Sequence, residues 1–382
     1  MKINNRLNNI PEYELSKIKS IKEELIKKGE EIIDFGVGDP DLPVDNSIIA
    51  EMIRSFDKNG FNNYPPYDGI KELKQGIIEY YRETFGVNLN MNEVLILIGS
   101  KEGINNLMPA VCDLGDYVII PKPSYPVYEA TAKLWGVIPY KLPLKENDDY
   151  LPNIKLIPQE IISRSKLFII NYPNNPTGAI ANEAFYKEII KFCYNNEIIL
   201  CNDGAYNEII RSGEKPLSVL QFDYKKNCIE FGTFSKIYNM TGFRIGYIVG
   251  NSQVIKAILK IKTNVDSGQF MPIQYAALKA IKLDRNYVNS IRYIYDRRIA
   301  LAEDILSKHN INFYKNSGTF YLWCKVPKDY TTNEFCEELL KKSGIIVTPG
   351  YAFGNLSYGH FRISLTKDDK IIEKGLNKLD IY

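Results

Sequence analysis

Apolar and polar positions divide this chain into two regimes. Between residues 94 and 249, short apolar runs recur: VLILI at 94–98, YVII at 117–120, KLFII at 166–170, EIILC at 197–201, IEFG at 229–232 and IGYIV at 245–249. Longer stretches with apolar residues at helical spacing lie between them, among them 69–85, 102–113, 181–195 and 251–263. A strand with one wet face alternates apolar and polar residues, whereas a strand buried on both faces is apolar throughout. Unbroken runs alternating with helices therefore predict an α/β fold, a mostly parallel central sheet with helices on both faces. After about residue 284 the pattern changes to one long helix over 285–309, strands near 319–325 and 344–347, a helix over 331–342 and a final strand–helix pair. That order predicts a smaller α+β domain.

The chain start adds to this second unit. A helix is expected over about 11–28, because Pro11 loses no hydrogen bond in a first turn and Gly29 can end a helix in the left-handed conformation. A short strand over 32–35 follows, leading into Gly36-Val37-Gly38-Asp39-Pro40. The expected organisation is an N-terminal arm with part of the small domain over 1–45, a large domain over 46–284 and a C-terminal small domain over 285–382. There is no internal repeat and no low-complexity linker.

Ligands of open α/β sheets sit beyond the carboxyl ends of the strands. Unusual polar residues collect there. Gly99-Ser100-Lys101 follows the first run, Tyr125 follows the second, Asn171 to Gly178 the third, Asp203 the fourth and Thr233-Phe234-Ser235-Lys236 the fifth. Each residue has an ordinary reading and a chemical one. Lys236 is either a snorkelling strand-end lysine or an amine that desolvation frees to form a Schiff base with a carbonyl. Asp203 is either a helix cap or salt-bridge partner, or the counter-charge of a pyridinium nitrogen. Tyr206 either packs or hydrogen-bonds a phenolate-like oxygen. Arg244, with Thr233, Ser235 and the amides of Ser100 and Lys101, can form a phosphate cup; otherwise Gly99 to Gly103 is an ordinary helix start. Asn174-Asn175-Pro176-Thr177-Gly178 reads as a turn, and Tyr125 as a loop residue or a ring that stacks on another.

Composition narrows the chemistry. The 382 residues carry 48 Lys and Arg against 46 Asp and Glu, and a net charge of +2 gives no field suited to nucleic acid or a membrane surface. With 45% hydrophobic and 25% charged residues the chain is ordinary globular protein. Two histidines, His309 and His360, cannot build a multi-histidine metal centre, so no metal is expected. The six cysteines contain no C-x-x-C pair and lie in apolar segments. No apolar run approaches the ~18 residues of a membrane span, and the start lacks a signal-peptide h-region, so the cytoplasm is the expected compartment.

Thr233-Phe234-Ser235-Lys236 followed by Asn239-Met240-Thr241-Gly242-Phe243-Arg244 resembles the lysine motif of the pyridoxal-phosphate (PLP) aminotransferases of fold type I, class I/II. Asn-Asn-Pro-Thr-Gly at 174–178, Asp203 with Tyr206, Tyr125, and Arg362 in HFRISLT occur in that family's order too. The resemblance implies a PLP-binding large domain and these roles. Lys236 holds PLP as a Schiff base and moves the substrate Cα proton, and Asp203 keeps the ring nitrogen protonated. Asn175 and Tyr206 bond the ring's 3-oxygen, and Tyr125 stacks on the ring. Ser100, Lys101, Thr233, Ser235 and Arg244 bind the phosphate. Arg362 pairs with the substrate α-carboxylate, aided by the Gly38 amide and Asn175. Tyr64, in NYPPYDG, is similar to the family tyrosine that reaches the neighbouring subunit's phosphate, which implies a homodimer with shared sites.

Within the family, IPEY (10–13), FGVGDPDLP (35–43), NYPPYDG (63–69), LIGSKEGI (97–104) and SKIYNMTGFRIGY (235–247) resemble the LL-diaminopimelate aminotransferases. That likeness implies LL-diaminopimelate and 2-oxoglutarate as substrates, a ping-pong reaction and a place in lysine biosynthesis. The pattern departs at Tyr67-Asp68, where a glutamate would precede the glycine and Asp68 stands instead. Such a substrate carries an ammonium and a carboxylate at its far end, for which Asp68, Tyr13, Tyr67 and Lys101 are candidates. Aspartate or broad-specificity aromatic transamination is the alternative, followed by a PLP-dependent β-lyase or decarboxylase. A PLP-binding regulator would need a DNA-binding module for which there is no spare length. An acyl-transfer site built on Thr233-x-x-Lys236 lacks its partner motifs. A dinucleotide fingerprint lacks its third glycine after Gly36-x-Gly38.

Overall fold

Seven strands form the central sheet, in the order Val94–Leu97, Gly246–Gly250, Cys228–Thr233, Ile199–Asp203, Ser165–Ile170, Tyr117–Lys122 and Ile138–Pro143. The computed structural model describes residues 4–10 and 16–379. Four of the six strand pairings are parallel. Gly246–Gly250 runs against both of its neighbours. Every residue of Val94–Leu97 and Gly246–Gly250 is buried, as the unbroken apolar runs require.

Alternate residues of these strands supply two cores. Val118, Ile120, Leu167, Ile169, Ile229 and Phe231 pack with Ile104 and Leu107 of helix Ser100–Val111 and with Val254 and Ile258 of helix Ser252–Val265. Ile119, Phe168, Ile170 and Leu200 face the other way, onto Phe185, Tyr186 and Ile189 of helix Glu183–Asn195. The sheet is therefore covered on both faces, which makes it α/β. The strand Ile138–Pro143 has no counterpart among the apolar runs. Its sequence IPYKLP has two prolines and is half-exposed, which only an edge strand with one neighbour tolerates.

The C-terminal region builds a four-stranded sheet in the order Thr348–Pro349, His360–Ser364, Tyr321–Lys325, Phe313–Tyr314. Helices Arg285–Lys308, Thr332–Ser343 and Asp369–Leu376 cover it, and Leu322, Cys324, Phe361 and Ile363 join Ile299, Ile305, Phe335, Leu339 and Ile372 in one core. Ile33–Asp34 pairs in parallel with Ile345–Ile346, and Ile33 and Phe35 enter the same core. The first helix spans Ser16–Lys27 and Gly29 has φ +80, as a helix stop needs; residues 11–15 of the expected helix lie outside the described residues.

Candidate active site

The parallel strands end along one edge of the sheet, and that edge borders a cavity of about 590 Å³. Asp203 and Thr233 are the last residues of their strands, and Asn171 directly follows Ser165–Ile170. Arg244 reaches the same edge for the opposite reason. It precedes the antiparallel strand Gly246–Gly250, whose first residue pairs with both Leu97 and Thr233. The strand reversal thus sets an arginine beside the start of helix Ser100–Val111.

This corner suits an anion. Gly99 caps the helix with φ +76 and no side chain bonds the first amides. A Cβ on Gly99 would lie 2.7 Å from Arg244 Nη2, so only glycine lets the guanidinium approach. Arg244 holds the left-handed φ of +53 and donates to the Thr241 carbonyl at 3.0 Å, and the Ser235 amide donates to Thr233 Oγ1 at 3.1 Å. Among the described residues no carboxylate pairs with Arg244 within 4.0 Å. A helix amino end with an unpaired arginine is an anion site.

At the other wall a line of hydrogen bonds runs from Asp203 to Arg362. The Asn171 amide donates to the Asp203 carbonyl at 2.6 Å, the Asn175 amide N–H donates to Asn171 Oδ1 at 2.8 Å, and Arg362 Nη1 donates to Asn175 Oδ1 at 2.7 Å. Arg362 Nη2 donates to the Gly36 carbonyl at 2.6 Å. Alternation explains Arg362: Phe361, Ile363 and Leu365 turn into the small core, so Arg362 turns the other way. Its guanidinium lies 4.0 Å from the Tyr321 ring centroid and 4.8 Å from that of Phe353, and its Nε is buried with no partner.

Asp203 is buried, and burial raises its pKa; the Tyr128 hydroxyl, donating to Oδ2 at 2.6 Å, and the charge of Lys236 oppose the rise. Asp203 Oδ1 has no partner at all. Lys236 Nζ donates to the Gly38 carbonyl at 2.9 Å. The Tyr206 hydroxyl shares a bond with Tyr321 at 2.9 Å, and burial followed by that neighbour raises its pKa well above the usual phenol.

The cavity thus receives Gly38, Ser100, Lys101, Tyr125, Asn175, Asp203, Tyr206, Thr233, Ser235, Lys236, Arg244 and Arg362. Three predicted residues stay outside it in a single chain, among them Tyr67, which is 44% exposed. Tyr64 is 86% exposed, and Asp68 pairs with Lys74 at 2.5 Å. Tyr13 lies outside the described residues. Tyr128, Tyr321 and Phe353 line the cavity without having been singled out, as do Lys22 and Asp34, paired at 2.9 Å. Tyr128 stands three residues after Tyr125, one helical step away, which is the only local signal among them.

The residues fit a pyridine ring bearing a phosphate. The orphaned Asp203 Oδ1 wants a donor, the Gly99–Arg244 corner wants an anion, and an amine stands between the Gly38 carbonyl and the Tyr206 ring. Comparison with known proteins agrees. The family model described as aminotransferase class I and II matches residues 30–379. An LL-diaminopimelate aminotransferase of Natranaerobius thermophilus is 42% identical over 379 residues, covering 99% of this chain and 98% of that protein. One from Aquifex aeolicus is 42% identical over 363 residues, covering 94% of each. Among solved structures, substrate-bound BacF from Bacillus subtilis superposes with a TM-score of 0.95 at 32% identity, covering 99% of this chain and 97% of that one.

Proposed function

Because the chain belongs to the class I and II aminotransferases, which are PLP-dependent transaminases, we propose that it exchanges an amino group between LL-diaminopimelate and 2-oxoglutarate in lysine biosynthesis. Full-length identity to LL-diaminopimelate aminotransferases supports that substrate pair. One observation of the site carries the reading: two guanidiniums that pair with no carboxylate among the described residues, Arg244 and Arg362, border the cavity that holds Lys236 and Asp203. A phosphorylated cofactor and an amino-acid carboxylate are the two anions such a site requires.

When bound, PLP supplies an electron sink for the pair left on the substrate Cα after deprotonation. The chain does the rest. Asp203 would pair with the ring N–H, its Oδ1 being buried without a donor. Ser100, Lys101, Thr233, Ser235 and Arg244 would hold the phosphate, Tyr125 would lie against the ring, and Asn175 and Tyr206 would bond its 3-oxygen. Arg362, steadied by Asn175, binds the α-carboxylate beside the Gly38 amide. Lys236 Nζ would carry the proton between the substrate Cα and C4′ of the cofactor, and the two substrates would bind in turn at one site.

The same reading makes the protein a homodimer. Ile53, Phe56, Val265, Phe270 and Tyr67 are exposed on the side that carries Tyr64, and Phe56 packs edge-on against Phe61 and Phe270. An apolar surface of this kind calls for cover. A second copy covering it would receive Tyr64 at its phosphate site, and Asp68, on the same loop, near the far end of its substrate. We divide the chain near residues 45 and 284, with Ile33–Asp34 belonging to the small domain through its pairing with Ile345–Ile346. We assign the enzyme to the cytoplasm: the six cysteines are all free and buried, and no described helix is long and apolar enough to cross a membrane.

A donor panel tests the substrate. LL-diaminopimelate, glutamate, aspartate and aromatic amino acids are each offered with 2-oxoglutarate, and products are identified. The reading requires the highest kcat/KM with LL-diaminopimelate; a preference for aspartate or an aromatic donor would replace it, and pyruvate released without amino transfer would mean a β-lyase.

A further inference from the structure

Resting on the roles given to Arg362 and Tyr206, we propose that Tyr321 is a positioning residue that ties the carboxylate-binding arginine to the cofactor-side phenol. It begins the strand Tyr321–Lys325, where it pairs with Ser364, while Trp323 pairs with Arg362. Its side chain therefore shares the face of the sheet from which Arg362 projects. Only 2% of it is exposed.

Three contacts meet on this one side chain. The ring lies beneath the Arg362 guanidinium, whose carbon is 4.0 Å from the centroid, with Phe353 at 4.8 Å. A desolvated guanidinium without a carboxylate partner is drawn to aromatic faces, which fix its plane while leaving its edge free for a bidentate ligand. The unpartnered Nε belongs to that edge. The hydroxyl forms the 2.9 Å bond with Tyr206. Two phenols own two protons and share one bond between them, so the pair keeps one further proton to direct at a ligand oxygen. The third contact is steric. A Cβ on Gly38 would fall 1.8 Å from the Tyr321 hydroxyl oxygen, so the backbone whose carbonyl receives Lys236 Nζ rests directly on this group.

Ring and hydroxyl therefore have separable tasks. Tyr321→Phe keeps the platform under Arg362 and removes the bond to Tyr206. Tyr321→Leu removes both. Binding of succinate, an unreactive dicarboxylic acid, reads Arg362 by calorimetry without turnover. PLP affinity and kcat read Tyr206.

Tyr321→Phe should bind succinate within about 2-fold of wild type, while PLP affinity or kcat falls by about 5-fold, the scale of one neutral hydrogen bond. Tyr321→Leu should weaken succinate binding by about 10-fold, within the range of a buried cation–π contact. The double variant Tyr206→Phe/Tyr321→Phe should lose no more than the Tyr206→Phe single, because both changes delete one bond.

Fully additive losses in the double variant would overturn the tie to Tyr206. A Tyr321→Phe protein that binds succinate as poorly as Tyr321→Leu would overturn the platform. If Tyr321→Leu does not fold, the Tyr206–Tyr321 cycle decides alone. Wild-type protein that takes up no PLP would overturn the proposed function instead; the succinate measurements, which need no cofactor, would still decide the tie to Arg362.

Discussion

Tyr128→Phe removes a single hydroxyl from below the sheet edge and tests how Asp203 is kept ionised. Burial raises the pKa of Asp203, and the strongest opposing influence is the 2.6 Å bond from Tyr128 to Oδ2, ahead of the backbone at Ala205 and the charge of Lys236. Asp203 Oδ1 has no donor to compensate. A hydrogen bond to a charged acceptor contributes about 1.5–3 kcal/mol, which at 1.36 kcal/mol per unit is a shift of about one to two pH units. The sign follows directly. Loss of the donor favours the protonated acid, so the pKa rises further and a smaller fraction is ionised at any given pH. The acid limb of the kcat/KM profile should therefore move to higher pH by about one to two units. PLP should also bind less tightly at low pH, with the gap closing as pH rises. Stability gives an independent reading. A folded-state acid with a raised pKa loses stability as pH rises through that pKa, and the variant, with its higher value, should lose more. Urea midpoints of the two proteins should diverge toward alkaline pH. An unmoved acid limb together with parallel urea curves would mean that Tyr128 does not set the charge of Asp203.

Three further outcomes are expected. Borohydride should fix PLP on Lys236 of the yellow wild-type protein, whereas Lys236→Ala should retain some PLP, accept no label and show no turnover; label on another lysine in the wild type would reject the assignment. Arg362→Ala should raise KM for amino acids and oxo acids alike by on the order of 30-fold or more, since it strips the substrate carboxylate of its buried partner, and an unchanged KM would mean that the carboxylate binds elsewhere. Glu129 is partly desolvated, which raises its pKa, but bonds from Lys141, Lys133 and Lys122 prevail and lower it from 4.5 to about 2. The network should contribute about 3 kcal/mol above pH 4.5 and lose it as pH falls through about 2, so Glu129→Gln should be markedly less stable than wild type at pH 7 and nearly equal at pH 2, by urea denaturation.

The large sheet was legible because burial on both faces favours apolar residues along each strand, as at 94–98, 166–170 and 229–232, where the one buried charge, Glu230, is held by hydrogen bonds from Asn202 and Tyr81. The edge strand Ile138–Pro143 was not, since a half-exposed strand with two prolines carries neither signal. Among the site residues, those at the carboxyl ends of parallel strands followed from the fold rule. Arg244 did not follow from it, because its place depends on the reversal of Gly246–Gly250, which no periodicity records; its nearness to Lys236 in the chain and the chemistry of a guanidinium suggested a phosphate site, and the motif likeness supported it. Tyr321 was silent, and Tyr128 nearly so, for a different reason. Their partners Asp203 and Tyr206 lie 75 and 115 residues away in the chain, and the string GTFYLWC reads simply as a buried strand. With 27 tyrosines in the chain, only the folded contacts select these two.

Those tyrosines also explain how a chain with two histidines equips the site. Neither histidine borders the cavity: His360 stacks on Trp323 with centroids 5.1 Å apart, and burial lowers its pKa, while His309 follows the long helix Arg285–Lys308. The hydrogen-bonding work at the cavity wall falls instead to Tyr128 and Tyr206, whose pKa values burial pushes well above those of an ordinary phenol. Groups shifted that way stay protonated across the neutral range, so both phenols remain hydrogen-bond donors there. A histidine in either place would titrate near neutrality and alter the pattern within the working range. On the roles proposed above, the phenols would leave proton movement to Lys236 and charge balance to Asp203, and would keep the rest of the wall fixed as a substrate carboxylate binds and leaves Arg362.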